Sequence, residues 1–445
     1  MRKLAIGLGL LAGVFIFHDT RGQLSSATYQ LKHTLPQSAL LNPAFIPHNK
    51  VVIGLPGMSS IYHKLETGLS FSDIFDRTDS NSLILDTLHI FEKLGKRNSI
   101  EQEMDVQLLL LGIRTNNGYF SFNTRLRSQV KFVYPGDMIK WGIWGPGDDR
   151  IGNTIQLDNF SARVNSFLEF SAGYAYEVSS VLTIGGSVKF LNGLFGGKGS
   201  QSGHLYMGTD SLSIAVKDLE YSYAGPAAIE KGEFSHLILG SNNGFGLDVG
   251  FNYIVKPGVE LSASVVDLGF ITWRDYTDTY KSQDVEYTFK GFDVKAMLLD
   301  SANQVDMGQV LDSIKDRLLP LKTRSEDFTT SLGPKLIIGG RYELNDYNTL
   351  GVTLFSSFYK GKPDPGISLN YQLQLKEIFS LITGLSVHNK RADNVMAGFV
   401  FKPGPFQLYF VTDRLNGIIL PSRTSELSFR VGLNLAIGKA GTMTY

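Results

Sequence analysis

Hydrophobic and polar residues alternate along many segments of this chain, most clearly near its C-terminal end. From Leu427 to Gly438 a large apolar residue stands at every second position, and small or polar residues stand between them. A period of two places successive side chains on opposite faces of a β-strand. One large apolar face and one small or polar face are typical of a strand between lipid and a wet lumen.

The same alternation predicts fourteen strands along the chain. They are expected near residues 51–63, 105–114, 119–133, 165–177, 181–191, 244–255, 258–268, 335–344, 349–358, 366–374, 379–387, 393–401, 405–412 and 427–438.

The connections between these strands are short and long in turn, which indicates two different ends. Every second connection is a tight turn, whereas the others include the long segments 64–104, 134–164, 192–243 and 269–334. After residue 22 no apolar run reaches the roughly 20 residues of a membrane helix, so only a closed barrel could span a membrane. The sequence therefore predicts an all-β protein, an antiparallel transmembrane β-barrel of about 14 strands.

Two of the long loops carry apolar residues at helical spacing. Ser82 to Leu94 and Met297 to Leu319 are both expected to form helices that cap the outer mouth of the barrel. The alternative makes them core helices of a soluble α+β domain, and it leaves the alternation of the fourteen segments without an explanation.

The N-terminal region divides into two parts before the first predicted strand. Arg2 and Lys3 precede an unbroken apolar stretch from Leu4 to Phe17, which is the pattern of a secretory signal peptide. The next segment contains Pro43 and Pro47, which disfavour a continuous helix or a central strand. Because an even strand number puts both chain ends on the turn side, this segment can fold back into the lumen. The expected boundaries are 1–22 for the signal peptide, 23–50 for a luminal segment that we call the hatch, and 51–445 for the barrel.

Charge and composition exclude several classes of function. Basic and acidic residues number 42 each, so no net field attracts nucleic acid. The absence of cysteine removes disulfides, thiolate metal sites and thiol catalysis. The chain has no phosphate-binding loop or nucleophile elbow, its histidines lack metal-ligand spacing, and a barrel hydrolase would need a serine and a histidine on one strand face. The sequence therefore predicts no enzyme activity, no cofactor and no metal site.

Several charged and amide residues fall on the polar face of the predicted strands. A charged side chain that faces lipid costs up to about 2–4 kcal/mol, so the lumen is the expected location. There these residues either form a packed ion-pair network that closes the interior or line a polar path for a solute. They are Asp248, Asn252, Glu260, Arg341, Glu343, Arg430 and Asn434.

The segment Ser38 to Ala44 (SALLNPA) resembles the Asn-Pro-Ala hatch motif of the long-chain fatty acid transporter (FadL-like) family, whose barrels also have fourteen strands. The chain is also similar to Bacteroidetes-type outer-membrane barrels of unknown function, which include relatives of the type nine secretion accessory (PorV-like) barrels. The resemblance implies that Asn42, Pro43 and Ala44 belong to a hatch whose movement opens a route for an apolar ligand. The segments that match are Leu41 to Pro47, Ile53 to Gly57, Leu268 to Trp273 and Phe406 to Gly417.

These patterns lead to two hypotheses for a protein of the cell outer membrane. The first is passive transport of a small hydrophobic solute, gated by the hatch. The second is a non-transporting accessory or scaffold barrel of a secretion or surface complex. Transport predicts a continuous path through the lumen, whereas scaffolding predicts a filled lumen and an exposed apolar patch on the loops. The expected partners are outer-membrane lipid, the barrel-assembly machinery, which recognises a terminal aromatic such as Tyr445, and either a hydrophobic small molecule or secretion-complex proteins.

Overall fold

The computed structural model describes residues 25–78, 82–144, 151–158, 160–209, 211–225, 240–282, 284–289, 322–388 and 391–439. The chain forms a closed barrel of fourteen antiparallel strands, which confirms the predicted fold class. We number these barrel strands β1 to β14 in chain order. Their bounds are Asn49–Gly54 together with Ile61–Glu66 (β1), Asn98–Thr115 (β2), Gly118–Tyr134 (β3), Phe160–Glu177 (β4), Leu182–Met207 (β5), Asn243–Lys256 (β6), Val259–Trp273 (β7), Lys335–Asn345 (β8), Asn348–Tyr359 (β9), Lys362–Leu375 (β10), Phe379–His388 (β11), Arg391–Phe401 (β12), Phe406–Thr412 (β13) and Glu426–Lys439 (β14).

Pairing between the first and the last strand closes the barrel. Val51 pairs with Ile437, and every other barrel strand pairs with its neighbours in sequence. Tight turns join alternate strands at one end, which we call the turn end, and the longer connections lie at the other, the loop end. The connection of β9 to β10 is short although it lies at the loop end, because Lys360 and Gly361 alone form its turn.

β1 is interrupted, although the sequence predicts one continuous strand over 51–63. Gly54 pairs with Asn434 and Ile61 pairs with Val431, so β1 advances seven residues where β14 advances three. β1 therefore carries four extra residues. We call residues 55–60 the wall bulge. The cause is local, because Pro56 has no N–H to donate and Gly57 adopts a left-handed φ of 69°.

At the loop end the barrel continues into an outer sheet that the sequence does not predict. β5 runs on to Met207 instead of ending near residue 191, and its second half still pairs with β4. The sequence does not predict this extension because the second half is rich in glycine and lacks the apolar alternation. The segments 192–243 and 269–334, expected to be loops, therefore contain strands. The additional strands are Thr154–Gln156, Leu212–Ala224, Thr277–Lys281, Val285–Phe289, Lys322–Arg324 and Phe328–Ser331 in this sheet, and Phe75–Arg77 with Leu83–Leu85 in a separate hairpin.

The helix predicted over Ser82 to Leu94 is wrong at its start. Asp86 caps a shorter helix by accepting the N–H of His89 at 2.9 Å, and the residues before it form a strand. The helix predicted over Met297 to Leu319 lies outside the described residues. None of the helices in the described ranges has the length and apolar character needed to cross a membrane. Their bounds are Ser26–Gln30 (α1), Phe71–Ile74 (α2), Thr87–Lys93 (α3), Gly136–Trp144 (α4) and Leu415–Ile419 (α5), with 3-10 helices at Pro36–Leu40 and Pro421–Arg423.

The outer face of the barrel is an apolar band. Phe245 and Leu369 project outward from β6 and β10 and are 64% and 61% exposed. Tyrosines mark its boundary at the turn end, where an apolar ring with a polar tip suits the lipid headgroup region. These exposed tyrosines are Tyr174, Tyr176, Tyr253, Tyr342, Tyr347 and Tyr371.

Candidate functional site: the hatch and the lumen

The hatch fills the turn-end half of the lumen. α1 and the 3-10 helix at Pro36–Leu40 lie inside the barrel, and the large rings of Tyr29 and Phe45 are fully buried. Pro36 stands at the start of its 3-10 helix, where a missing N–H leaves no bond unmade. The chain joins the wall at Asn49, which lies within the range predicted for the hatch.

Asn42 connects the hatch to two wall strands at once. Its Oδ1 accepts the N–H of Ala44 at 2.9 Å, which folds Asn42-Pro43-Ala44 into a local turn. Its Nδ2 donates to the carbonyl oxygens of Phe251 in β6 at 3.1 Å and Ala263 in β7 at 3.3 Å. Asparagine suits this position because one side-chain amide supplies both the acceptor and the donors.

Two glycines of the wall make room for this turn. A Cβ on Gly185 of β5 would lie 2.3 Å from the carbonyl carbon of Pro43, and a Cβ on Gly250 of β6 would lie 2.2 Å from Asn42 Oδ1. On the adjacent Gly186, a Cβ would meet its nearest neighbour at 3.7 Å. Gly185 and Gly250 are functional candidates that sequence reasoning missed, and the available signal was glycine on the face opposite the apolar residues.

Apolar side chains pack the hatch against two strips of the lumen wall. One cluster joins Tyr29, Leu41 and Phe45 to β7, β8 and β9, and another joins Ala27 and the leucines of the first hatch turns to β11, β12 and β13. We call the wall members the apolar strips. They are Val266, Ile337 and Phe355 in the first strip, and Ile382, Met396, Val400, Tyr409 and Val411 in the second.

A buried ion pair anchors the hatch near the turn end. The Lys32 ammonium pairs with Glu260 of β7 and donates to Asn252 Oδ1 of β6 at 2.9 Å. Burial lowers the pKa of Lys32, and the negative charge of Glu260 opposes this shift. His33 Nε2 lies 3.3 Å from Glu260 Oε1 and stacks on His48, whose pKa burial lowers to about 3. Glu260 therefore favours the docked position of a charged Lys32.

Arg341 of β8 supports the same end of the hatch. Its Nη1 donates to the carbonyl oxygen of Gln30 at 3.4 Å and to Gln372 Oε1 at 3.0 Å. Glu343 lies at the rim of the turn end, where its side chain is 43% exposed and 3.5 Å from Arg341 Nη2. Of these two charged residues, only Arg341 touches the hatch in the described structure.

Gln37 ties the hatch to the wall bulge. Its Nε2 lies 3.0 Å from Ser59 O, from Gln107 Oε1 and from Asn434 Oδ1. Asn434 returns a hydrogen bond from its Nδ2 to Gln37 Oε1 at 3.2 Å. One hatch side chain therefore bridges β1, β2 and β14.

The wall bulge interrupts the strand without opening the wall. Gln107 N donates to Ser60 O at 2.8 Å, and Leu433 N donates to Met58 O at 2.9 Å. Met58 points outward and is 57% exposed, whereas Ser60 is fully buried. The guanidinium of Arg430 lies over the Tyr62 ring at 4.6 Å and donates to Ser60 Oγ at 2.7 Å, so this lumen residue supports the bulge.

Above the hatch, side chains of neighbouring wall strands form linked ion pairs in the lumen. Asp248 of β6 contacts the Lys189 ammonium at 2.7 Å, and Lys189 contacts Asp267 at the same distance. Arg127 of β3 binds both oxygens of Asp267, at 2.8 and 2.9 Å, and reaches Glu169 of β4 at 2.8 Å. We call this network the charge layer. Its members are Asp105, Arg125, Arg127, Glu169, Lys189, Asp248 and Asp267.

Asp267 is a lumen residue that the alternation misses. Counting by twos from Val265 places it on the lipid face. In the structure Val266 and Asp267 together face the single Asp248, and Asp267 adopts a left-handed φ of 60°. This β-bulge turns the carboxylate inward, and aspartate tolerates the conformation better than most residues do.

A second group of buried ion pairs lies nearer the loop end. Lys131 of β3 contacts Glu101 of β2 at 3.0 Å, and His388 Nε2 lies 3.0 Å from Asp364 Oδ1. Between the hatch and the charge layer a cavity of about 40 Å³ remains, which Leu41 of the hatch helps to line. That volume suits about one water molecule.

The residues singled out from the sequence fall into five places. Asn42, Pro43 and Ala44 form the hatch turn, and Asn252, Glu260, Arg341 and Asn434 contact the hatch. Asp248 belongs to the charge layer, Arg430 supports the wall bulge, and Glu343 lies at the rim. Within the ranges that the structure covers, no group of three or more histidine or carboxylate side chains is placed to hold a metal ion.

Comparison with known proteins gives one family and several distant structures. The model of the Family of unknown function (DUF5723) matches residues 43–413. No curated protein matches the chain. A FadL homologue of Pseudomonas aeruginosa shares 10% identity with a TM-score of 0.39 over 91% of this chain and 96% of that chain. The toluene transporter TodX of Pseudomonas putida shares 10% identity with a TM-score of 0.39 over 90% and 92%. The translocator domain of the autotransporter NalP of Neisseria meningitidis shares 8% identity with a TM-score of 0.34 over 92% and 97%.

Proposed function

Since this chain belongs to the Family of unknown function (DUF5723), the family brings no activity with it, and we propose from the geometry that the protein is an outer-membrane channel closed by its hatch. The solute is a small hydrophobic molecule that crosses passively when the hatch leaves the lumen. The apolar outer band and the contrast between turn end and loop end support this location. The proposed function is that of a channel and involves no catalysis.

One observation carries the proposal: residues 25–48 of the hatch lie in the lumen and form no part of the wall. β14 pairs with β1 from Asn49 onward, so the barrel closes without residues 25–48. Removal of the hatch leaves both apolar strips facing the lumen. These strips offer a hydrophobic surface to an apolar solute, whereas the charge layer does not.

A matched pair of glycine variants tests the hatch as a gate. In Gly185→Ala the new methyl group overlaps the backbone of Pro43 and displaces the hatch turn, so uptake of the apolar dye N-phenyl-1-naphthylamine through the outer membrane of host cells is expected to rise several-fold. Gly186→Ala adds the same methyl group with no such overlap and is expected to match the parent. Equal uptake by the two variants contradicts the proposal.

A disulfide lock keeps the test decisive if Gly185→Ala loosens the wall itself. Leu41 O lies 2.6 Å from Ser264 Oγ, and the chain has no cysteine of its own. Leu41→Cys and Ser264→Cys are added to Gly185→Ala. Dye uptake should be low when the two cysteines are oxidised to a disulfide and should rise again when the disulfide is reduced. The single-cysteine variants serve as controls. Equal dye uptake with the oxidised and the reduced protein argues against a route through the hatch.

A second candidate function, a scaffold barrel of a secretion or surface complex, is supported by an exposed apolar patch on the loops. Leu88 on α3 is 68% exposed, and the Ser72 hydroxyl donates to Ser422 O at 2.9 Å, which joins two loops at this patch. The hatch and the charge layer inside the lumen agree with this candidate as well. The exposed apolar side chains are Phe71, Leu83, Ile84, Leu85, Leu88, Ile418, Ile419 and Leu420.

Leu88→Asp separates the two candidates. A scaffold is expected to lose photo-cross-links between its loops and neighbouring cell-surface proteins, with dye uptake unchanged. A channel without docking function is expected to show no such cross-links in the parent protein.

A further inference from the structure

Two adjoining cavities form a cleft at the loop end, well away from the hatch. Their volumes are about 510 Å³ and 230 Å³, and both are lined by Ser200 and Lys360. The cleft lies where β3, β4 and β5 meet the turn between β9 and β10. Its size is in the range of small-molecule sites.

Basic side chains without ion-pair partners characterise this cleft. Arg97, Arg163, Lys360 and Lys362 line it, and none of these four side chains makes an ion pair or a hydrogen bond with any residue that the structure describes. In the charge layer, by contrast, ion pairs hold Arg125, Arg127 and Lys189. The cleft also contains Lys198, 3.7 Å from Glu220, and the carboxylate of Asp218, which accepts from Ser202 at 2.9 Å.

The cations of the cleft lie close enough to repel one another. Burial lowers the pKa of Lys360, and the positive charges of Arg97 and Lys198 lower it further. The Lys360-Gly361 turn fixes this lysine at the mouth, with a left-handed φ of 50°. A bound anion relieves such repulsion, and an anion with two charges relieves it more than one with a single charge.

Arg163 is held in position without using its hydrogen-bonding edge. Its guanidinium lies over the Tyr359 ring at 5.0 Å, and the Lys131 ammonium lies over the same ring at 5.2 Å. Its Nε is buried and has no hydrogen-bond partner among the described residues. A planar guanidinium held in this way can donate two parallel hydrogen bonds to phosphate or carboxylate oxygens.

The rest of the lining is made of hydroxyl groups and aromatic rings. Hydroxyls supply both donors and acceptors for the hydroxyls of a sugar, and ring faces suit its C–H surface. The hydroxyl residues are Ser161, Ser200, Ser202, Thr329, Thr330 and Ser331, and the rings are Phe160 and Phe358.

We propose that this cleft binds a phosphorylated saccharide, with Arg163 and Lys360 holding the phosphate and the hydroxyl residues contacting the sugar. The same chemistry is offered by a soluble sugar phosphate and by the head group of a phosphorylated glycolipid. The site is independent of the hatch, so it stands whether or not the hatch is a gate.

Calorimetric titration of the full-length protein in detergent tests the phosphate contact. Glucosamine 6-phosphate is expected to bind, glucosamine is expected to bind at least about tenfold more weakly, and inorganic phosphate is expected to fall between them. Arg163→Gln with Lys360→Gln should weaken binding of glucosamine 6-phosphate by about tenfold or more. Lys256→Gln, which removes one positive charge at the turn end, should leave it unchanged.

Nanodiscs identify the source of the ligand. A gain in thermal stability in phosphatidylethanolamine discs on addition of diphosphorylated lipid A, absent in the double variant, supports a glycolipid head group. Binding of glucosamine 6-phosphate alone supports a soluble ligand. The proposal is overturned if glucosamine and its phosphate bind equally, or if an Arg163→Gln/Lys360→Gln protein that retains a heat-resistant barrel binds glucosamine 6-phosphate as tightly as the parent.

Discussion

Two layers lie inside the lumen of this barrel, and they are built in opposite ways. The hatch layer at the turn end comes from a segment outside the wall and is held by apolar packing, amide hydrogen bonds and the Lys32–Glu260 pair. The charge layer above it consists of wall side chains that neutralise one another, with Arg127 at its centre. Under the proposed gating, the hatch layer leaves the lumen by separating one buried ion pair, whereas the charge layer opens only by separating several.

The difference assigns separate tasks to the two layers. Separating a buried ion pair leaves both charges without compensation, so the charge layer resists rearrangement and stabilises the barrel. The hatch can exchange its contacts for water and solute at a lower cost per contact. A gate is therefore expected in the hatch layer, and a fixed brace in the charge layer.

The largest effect is expected from Arg127→Ala. Arg127 contacts both Glu169 and Asp267, and the variant removes this shared partner from two buried carboxylates. We expect the free energy of unfolding to fall by about 3–5 kcal/mol. Urea unfolding in detergent measures it. A loss below about 1 kcal/mol would show that water compensates these ions and that the charge layer is no brace.

A smaller effect is expected from Glu260→Gln in the hatch layer. Lys32 loses its carboxylate, its pKa falls further, and hatch docking weakens by about 1.5–3 kcal/mol. Dye uptake should rise, while urea unfolding of the barrel changes much less than in Arg127→Ala. Destabilisation of the barrel equal to that of Arg127→Ala would remove the distinction between the layers.

A buried carboxylate that binds the start of the hatch gives a third test, through the pH dependence of the free energy of unfolding. Asp413, just after β13, accepts the N–H of Ala27 at 2.9 Å, and burial raises the pKa of Asp413 to about 6 from an ordinary value of 3.8. The folded chain therefore keeps this proton to higher pH than the unfolded chain does. The contribution of Asp413 to the free energy of unfolding is greatest below pH 3.8 and declines until about pH 6, by at most about 1.4 kcal/mol per pH unit.

Asp413→Asn should remove this decline when urea midpoints are compared at pH 4 and pH 7. The parent protein serves as the reference at each pH. A decline that persists in the variant assigns the pH dependence to other groups.

The smallest effect is expected from Arg114→Ala at the turn end. Arg114 contacts Glu177 at 2.7 Å, but both side chains are partly exposed to water, unlike the charge layer. The free energy of unfolding should change by less than about 1 kcal/mol. A loss as large as that of Arg127→Ala would show that burial does not explain the strength of the charge layer.

The strand count could be predicted because a period of two reports on one strand at a time. Leu427 to Gly438 shows its lipid face and lumen face without reference to any other part of the chain. The same rule fails where one extra residue reverses the faces, as at Asp267, and where proline and glycine insert several residues, as in the wall bulge. It also fails in the second half of β5, where glycine leaves no apolar face to read.

The site could be predicted less well because its contacts join residues that are distant in sequence. The residue types of Asn42 and Glu260 identify them as polar groups inside a barrel, but their partners are backbone carbonyls and a lysine of other segments. Gly185 has no functional group, and its role of making room for Pro43 is visible only in the three-dimensional structure. The partners depend on barrel closure, which no local pattern records.

β5 makes this barrel markedly taller on one side than on the other. At about 3.3 Å per residue its 26 residues extend roughly 85 Å, whereas a strand needs only about 9–11 residues to cross a bilayer. More than half of the strand therefore extends beyond the bilayer at the loop end. With the loop end outside the cell, as the proposed function requires, a short epitope inserted at the end of β5 is expected to be accessible to an antibody on intact cells.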